Sequence, residues 1–572
     1  VKIFSLDTLK KQVHHVTCST TLLYAIAGFL SLLLGLLSLT LPIYLQSICD
    51  IILVHSNLSL LFSISVVVGF LYLVYATLDF ARRLTHSSIA RKIDKTLSRV
   101  AFLAALNPAI QTNWSDKPTD PIEELDAVRK FWTCPGSAAL FDLPWLPIYL
   151  ALLFVFHLWL GSLATVCALL AVSLALIIQT PTQSSKAQKK PKDLAHVNAQ
   201  HHAEIVRAHG MSKTLCDRWD NAKTQVYQQQ IEADDQSSLL STTTRTLRYV
   251  SETAVFGMGA VLVIRQEITP GTMVAASLIA SRTLLPIEQA ICNWHSLIAY
   301  RNACGRLNEI CGRLEEQKPN LVLPTPQKSL EVHQVAITCP GTKHIALDGL
   351  DFTLNAGDGL GIVGRSGAGK TCLVRTLVGV WPNQNGSILL DGTDLQQWPE
   401  DQLGAAIGYL PQKVELLDGT VAQNISRFSK VRKDEEIFEA ARIADAHAMI
   451  TNLPEGYDTQ VGYSGCLLSA GQRQRIGIAR ALYNSPFLIV LDEPATNLDT
   501  DGILALANTL RLMRKAGSIV IAVTRHPAVI CATDTVLVLE AGRQIAFGPK
   551  DIVLPNFGDD TQSKHGFLAI VN

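Results

Sequence analysis

Gly364-Arg365-Ser366-Gly367-Ala368-Gly369-Lys370-Thr371 follows the short run Gly361-Ile362-Val363 and leads into Cys372-Leu373-Val374. A glycine-rich loop set between a strand and a helix, closing on Lys-Thr, is built to hold phosphate. Its glycines let consecutive backbone N–H groups turn toward one anion, and the first turn of the helix adds partial positive charge. Lys370 is placed to reach the outer phosphates of a nucleoside triphosphate, and Thr371 offers a hydroxyl to Mg2+. A chance glycine-rich turn before a helix is the bland alternative, and a second motif downstream weighs against it.

That motif is Phe487-Leu488-Ile489-Val490-Leu491-Asp492-Glu493, an apolar run that ends in two adjacent carboxylates. An unbroken apolar run of this length suits a strand buried on both faces. Asp492 is the candidate for the Mg2+ shell, and Glu493 for polarising the attacking water. Between the two motifs, Leu468-Ser469-Ala470-Gly471-Gln472 precedes Arg473-Gln474-Arg475-Ile476. This segment resembles the signature of ABC ATPases, and the chain is identified as a member of that class. The resemblance implies ATP and Mg2+ as cofactors, an α/β nucleotide-binding domain, and a site shared between two copies. Ser469 and Gly471, with Gln472 beside them, then bind the phosphate held by the partner's glycine-rich loop.

The same resemblance assigns further residues. Gln412, after Ile407-Gly408-Tyr409-Leu410, matches the glutamine that joins Mg2+ to the transport subunit, and Asn497-Leu498-Asp499 matches the loop that signals across the dimer. Three positions depart from the pattern. Cys339, in Val335-Ala336-Ile337-Thr338-Cys339-Pro340, stands where exporters often stack an aromatic ring on adenine, and Tyr463 stands where many have a glutamate. In Val523-Thr524-Arg525-His526-Pro527, Arg525 occupies the place of the switch histidine and His526 comes one residue later. Adjacent strand residues face opposite ways, so His526 reaches the γ-phosphate only if the strand ends or bulges there. Otherwise Arg525 is the substitute contact, or hydrolysis is slow.

The first half of the chain says what hydrolysis is coupled to. Across 572 residues the mean hydropathy is +0.23 with 17% charged residues, and the apolar runs are concentrated N-terminally. Runs of roughly 20 apolar residues span a bilayer, and spans read as residues 22–48, 58–77, 138–160, 162–179, 250–264 and 272–294. The first is too long for a signal peptide and lacks a convincing cleavage site, so it is read as retained. An all-α transmembrane domain of six helices over 1–316, a proline-bearing linker over 317–329 and an ABC domain over 330–572 are expected.

Basic residues set the orientation: Lys10 and Lys11 precede the first span, Arg82, Arg83, Arg91 and Lys92 follow the second, and Lys186, Lys189, Lys190 and Lys192 follow the fourth. Positive loops stay on the cytoplasmic side, which puts the N-terminus and the ATPase domain there. The loops 82–136 and 181–249 are too long for plain connectors, so inner helices should extend beyond the membrane. Glu204-Ile205-Val206-Arg207-Ala208-His209-Gly210-Met211 is the candidate coupling segment, with a solvated loop as the alternative. Glu288 is costly within a span, where such a group usually faces a cavity or a partner; with Arg282 about two turns back, the two are read as facing the dimer's central path, with snorkelling near an interface as the alternative.

Other readings are negative. The 12 cysteines contain no C-x-x-C pair, which disfavours zinc and stable disulfides in a reducing compartment. Cys372 is either an inert thiol or one whose alkylation would block ATP. His201, His202 and His209 read as a polar helix face, and the equal totals of 49 acidic and 49 basic residues give no ground for nucleic acid.

The resemblance then narrows. Leu140-Phe141-Asp142-Leu143-Pro144-Trp145-Leu146-Pro147-Ile148-Tyr149-Leu150, Leu285-Pro286-Ile287-Glu288-Gln289-Ala290-Ile291 and the run from Leu468 to Tyr483 look like type I secretion ABC transporters of the PrtD kind. Val378-Gly379-Val380-Trp381-Pro382 extends the likeness. It implies a homodimer in the bacterial inner membrane, a membrane-fusion (periplasmic adaptor) protein, an outer-membrane tunnel protein, and a secreted polypeptide with an uncleaved C-terminal signal. The stretch before the first span is too short for an independent core, so no peptidase domain is expected there. An exporter of lipid or small molecules, and an ATP-gated regulatory subunit with little turnover, are the alternatives.

Overall fold

The computed structural model describes residues 7–106, 120–179, 203–316, 323–339 and 345–554. His201, His202, the lysines from Lys186 to Lys192 and the first part of the linker lie outside the described residues. The chain divides into two compact units, one made of Asp7–Leu103 with Asp120–Cys311, the other holding Gly312–Asn572.

The first unit is helical. Its elements are α1 (Asp7–Leu37), α2 (Thr40–Ser47), α3 (Leu58–Leu106), α4 (Pro121–Thr133), α5 (Pro135–Asp142), α6 (Leu146–Phe156), α7 (Leu158–Gln179), α8 (Ser212–Ile264), α9 (Pro270–Cys292) and α10 (Trp294–Glu316). With 49 and 53 residues, α3 and α8 are about 74 and 80 Å long at 1.5 Å per residue, more than twice the roughly 30 Å hydrocarbon layer. The inner helices therefore do extend beyond a membrane.

Among the described residues, four helices are long and apolar enough to cross a bilayer, Thr21–His55, Leu58–Leu106, Pro135–Phe156 and Ser238–Ile264, while Leu158–Leu174 is apolar but shorter. The sixth expected span is α9, which packs against α2, α5, α6, α7 and α8. Surrounded by protein, it can carry polar groups that a lipid-facing helix could not.

Two expectations are corrected here. The turn between the third and fourth spans falls at His157, whose backbone is extended (φ −167°, ψ 142°), rather than around residue 161. The His157 ring accepts from the Trp159 N–H at 3.3 Å and meets Glu267 at 3.1 Å. Gly161 serves packing: a Cβ there would lie 2.5 Å from the Phe154 ring. Glu288, in turn, is held by Arg248 (2.9 Å) and Arg245 (3.5 Å) of α8 and does not share a direction with Arg282. Six positions are about 1.7 turns, so Arg282 and Glu288 point roughly 120° apart on their helix.

The Asp142 region has a structural role. Asp142 accepts two hydrogen bonds from Arg82 of α3, at 3.0 and 3.1 Å, while Arg82 also donates to Asp79 at 2.9 Å. A 3₁₀ turn, Leu143–Trp145, then redirects the chain into α6, with Pro144 in that turn and Pro147 in the first turn of the helix, where proline is tolerated. The proposed coupling segment forms a short helix, Ala203–Ala208, closed by Gly210 at φ +64° just before α8.

The second unit is a ten-stranded sheet in the order β5-β4-β1-β2-β10-β9-β3-β8-β7-β6. The strands are β1 (Ser329–Thr338), β2 (Ile345–Asn355), β3 (Gly359–Gly364), β4 (Asn385–Leu390), β5 (Thr393–Asp394), β6 (Ile407–Leu410), β7 (Leu488–Asp492), β8 (Ile519–Val523), β9 (Thr535–Glu540) and β10 (Arg543–Pro549). The strands β9, β3, β8, β7 and β6 run parallel to one another, and β9 pairs antiparallel with β10. Every residue of β3, β7 and β8 is buried, as expected of strands covered on both faces. The described end of the linker is tied to this unit: the backbone N–H groups of Gln327, Lys328 and Ser329 donate to the Asp391 carboxylate at 2.7–2.9 Å.

Candidate functional site

Ligands in open α/β sheets bind beyond the carboxyl ends of the parallel strands. Four adjacent strands, β3, β8, β7 and β6, deliver at that edge the glycine-rich loop, Thr524-Arg525, Asp492-Glu493 and Gln412. Residues more than a hundred positions apart in sequence are brought together by strand order alone.

The loop from Gly364 to Gly369 feeds α11 (Lys370–Leu377), whose N-cap Gly369 has φ +93°. That conformation disfavours side chains, and a Cβ on Gly369 would stand 2.6 Å from Leu347. A Cβ on Gly364 would meet the Leu539 carbonyl at 2.2 Å. Lys370 donates to the carbonyls of Gly364 (2.7 Å) and Arg365 (2.8 Å), so its amine lies over the loop. Burial and then the Arg525 charge lower the Lys370 pKa. Arg365, Ser366 and Gly367 are exposed at the loop tip, and Ala368 is buried behind it.

Asp492 is 1% exposed. Burial raises its pKa, partly offset by a hydrogen bond from the Thr371 hydroxyl. Its Oδ2 is buried without a hydrogen-bond partner. A desolvated carboxylate oxygen beside a threonine hydroxyl is a costly arrangement unless a cation completes it. Thr371, Asp492 and Gln412 are oxygen donors of the type a hard divalent ion takes, and so fit Mg2+. Glu493 leaves the strand at φ +51°, its N–H bonded to the Val523 carbonyl at 2.9 Å, and its Oε2 accepts from Gln412 Nε2 at 3.2 Å.

The strand β8 ends at Val523, two residues before Arg525. The Thr524 hydroxyl accepts from the His526 N–H at 3.0 Å, a local turn that breaks strand alternation, and His526 becomes the N-cap of the short helix Pro527–Ile530. Arg525 is exposed while His526 is half-buried, with an Nδ1 that has no partner.

Ser469 caps α12 (Ala470–Leu482) in a reciprocal capping box: its hydroxyl accepts from the Gln472 N–H (3.2 Å), and the Gln472 side chain accepts from the Ser469 N–H (2.8 Å). Gln472 is thus engaged in holding the helix start, while the Ser469 side chain is exposed and the Gly471 α-carbon lies close to the Asn497 carbonyl, 3.1 Å from where a Cβ would sit. Sequence reasoning missed the supports of this segment. Gln474 donates to the Pro494 carbonyl at 3.0 Å, and Arg475 bridges Asp499 (2.9 Å) and Asp445 (3.0 Å). Their place in the basic helix after the signature was the available signal. Tyr463 is exposed, and Cys339 sits half-buried just past β1.

Residues 347–496 match the ABC transporter family model, and residues 143–286 match the ABC transporter transmembrane region. The chain is 38% identical over 531 residues to the type I secretion system ATP-binding protein PrsD of Rhizobium meliloti, covering 92% of this chain and 91% of the relative. It is 28% identical over 537 residues to the cyclolysin secretion/processing ATP-binding protein CyaB of Bordetella pertussis, covering 92% of this chain and 75% of that protein. A solved bacterial Atm1-family ABC exporter with ATP bound superposes with TM-score 0.80 at 22% identity, over 96% of this chain and 99% of that one, a likeness of fold.

Proposed function

This chain belongs to the type I secretion ABC transporters, and from that premise we propose that it uses ATP hydrolysis to drive a polypeptide across the bacterial inner membrane. The observation that carries the reading is the convergence of the glycine-rich loop, Asp492, Glu493 and Gln412 at one edge of the sheet of a multi-pass membrane protein. The backbone N–H groups of residues 364–369 and the Lys370 amine bind the phosphates of ATP. Glu493 takes the proton of the attacking water while Gln412 orients its carboxylate. Thr371, Asp492 and Gln412 would hold Mg2+, which supplies charge neutralisation on the phosphates when bound.

Arg525 supplies the second positive charge at the γ-phosphate, the reading favoured by its effect on Lys370 and by its exposure beside the loop. His526 is the neighbouring alternative. Ser469 and Gly471 complete the site of a second copy, with Gln472 fixing their helix, so the working form is a homodimer. The basic segments put the N-terminus and the nucleotide unit in the cytoplasm, and 204–211 is the coupling segment of the helical unit. A periplasmic adaptor, an outer-membrane tunnel and a cargo with a C-terminal signal complete the assembly, as the family implies. The proposed domain limits are 1–316, 317–329 and 330–572.

The test is a comparison of culture supernatants from cells carrying wild type or Glu493→Gln as the sole copy. Loss of one or more polypeptides from the medium, with membrane levels of the transporter unchanged, is expected. An unaltered set of secreted polypeptides would contradict the export reading.

A further inference from the structure

We infer that Cys339 and Cys372 form a redox-modifiable thiol pair whose disulfide and bound ATP exclude one another. The inference rests on the nucleotide-site reading above. Cys339 lies immediately beyond β1, and Cys372 is the third residue of α11, directly after Thr371. The two positions are widely separated in sequence, but β1 packs on α11 and the two thiols are in side-chain hydrogen-bond contact. Both are half-buried, within reach of a small oxidant. The pair therefore joins the position where related exporters stack adenine to the helix turn that carries Lys370 and Thr371.

The sulfurs close to about 2.05 Å in a disulfide. Moving from hydrogen-bond contact to that length draws the end of β1 onto the first turn of α11, across the adenine end of the site. One thiol of the pair, taken as Cys339, meets hydrogen peroxide first. There the S–O bond forms as O–O breaks, and the departing hydroxide takes the thiol proton to leave as water. Cys372 sulfur then displaces the second hydroxide, its proton completing the second water, so that two thiols and one hydrogen peroxide give one disulfide and two waters. In a reducing compartment such a bond is transient, as redox-sensing disulfides are. Linkage makes the coupling mutual: whatever factor the disulfide removes from ATP affinity, ATP removes from the tendency to form it.

The experiment uses the reduced full-length chain in detergent, treated with hydrogen peroxide and then with dithiothreitol. Binding of a fluorescent ATP analogue and mass-spectrometric mapping of linked peptides are followed together, with Cys339→Ser and Cys372→Ser alongside. A Cys339–Cys372 cross-link is expected, with affinity lowered by about tenfold or more, as typical coupling factors allow, and restored by dithiothreitol. ATP added first should slow the cross-link, and each variant should keep its own reduced-state affinity after peroxide. Absence of that cross-link, a cross-link with unchanged affinity, or equal oxidative loss in either variant would overturn the inference. Failure of the reduced wild type to bind nucleotide would instead overturn the site reading beneath it.

Discussion

Asp492 carries a cost that the empty protein does not recover. Its folded pKa is raised by burial, so between the unfolded and folded values the native state binds more protons and stability falls as pH rises through that window. At neutral pH the ionised carboxylate is therefore destabilising in the apo form, and Asp492→Asn should raise the apo melting temperature. The same change should cut ATP turnover by at least about a hundredfold, the scale of losing a charged contact to a transition state. In wild type, Mg2+ affinity should weaken on acidification at a pH above the ordinary carboxylate range, as seen by titrating Mg2+-dependent nucleotide binding. A melting temperature lowered by Asp492→Asn would contradict this account. Arg525 offers a second test: steady-state phosphate release should drop about tenfold or more in Arg525→Ala, and change little in His526→Ala. The reverse ranking would place His526 at the phosphate. The sequence marked Lys370, Asp492 and Glu493 because their motifs are contiguous. It left Arg525 and His526 open, because the Thr524–His526 turn that settles their directions is a local backbone choice which strand alternation does not encode.

Elements were legible where length and apolar character dominate, and less so where packing decides. The long helices α3 and α8 followed from loops too long to be connectors. The turn at His157 did not, because Gly161 carries the stronger turn signal and yet is used for close contact with Phe154. The partner of Glu288 was likewise hidden, since α8 and α9 meet through tertiary contact and sequence distance suggests only the residues on its own helix. Glu288 is buried and Arg248 is largely so, and Arg248 also donates to the Ser281 hydroxyl at 3.2 Å. Glu288→Ala should therefore destabilise the helical unit by about 3 kcal/mol, the usual cost of leaving one member of a buried pair alone. Replacing Arg248 by leucine in the same chain should restore part of the loss. Thermal unfolding in detergent reports both, and an unchanged midpoint in Glu288→Ala would show that Arg248 finds other compensation.

At the scale of the molecule, two units of different physics share one chain: a helical unit with bilayer-length apolar helices, and a sheet that gathers distant residues on one edge. That division was visible in the uneven hydropathy, and the fold class in three short motifs. What remains for the assembled protein is whether the exposed Ser469 and the half-buried Gly471 serve another copy's loop. A mixing experiment asks this directly. Lys370→Ala and Ser469→Arg, each purified with its own tag, are combined under conditions that exchange subunits, and ATP hydrolysis is measured on the doubly tagged pool and the mixture. In a shared-site homodimer each variant alone has both sites spoiled, whereas a mixed dimer has both lesions in one site and none in the other. Random pairing then restores activity to about a quarter of wild type, half the dimers being mixed and half their sites intact. Tagged heterodimers that form and yet hydrolyse no ATP, or a Ser469→Arg homodimer with full activity, would contradict the shared site.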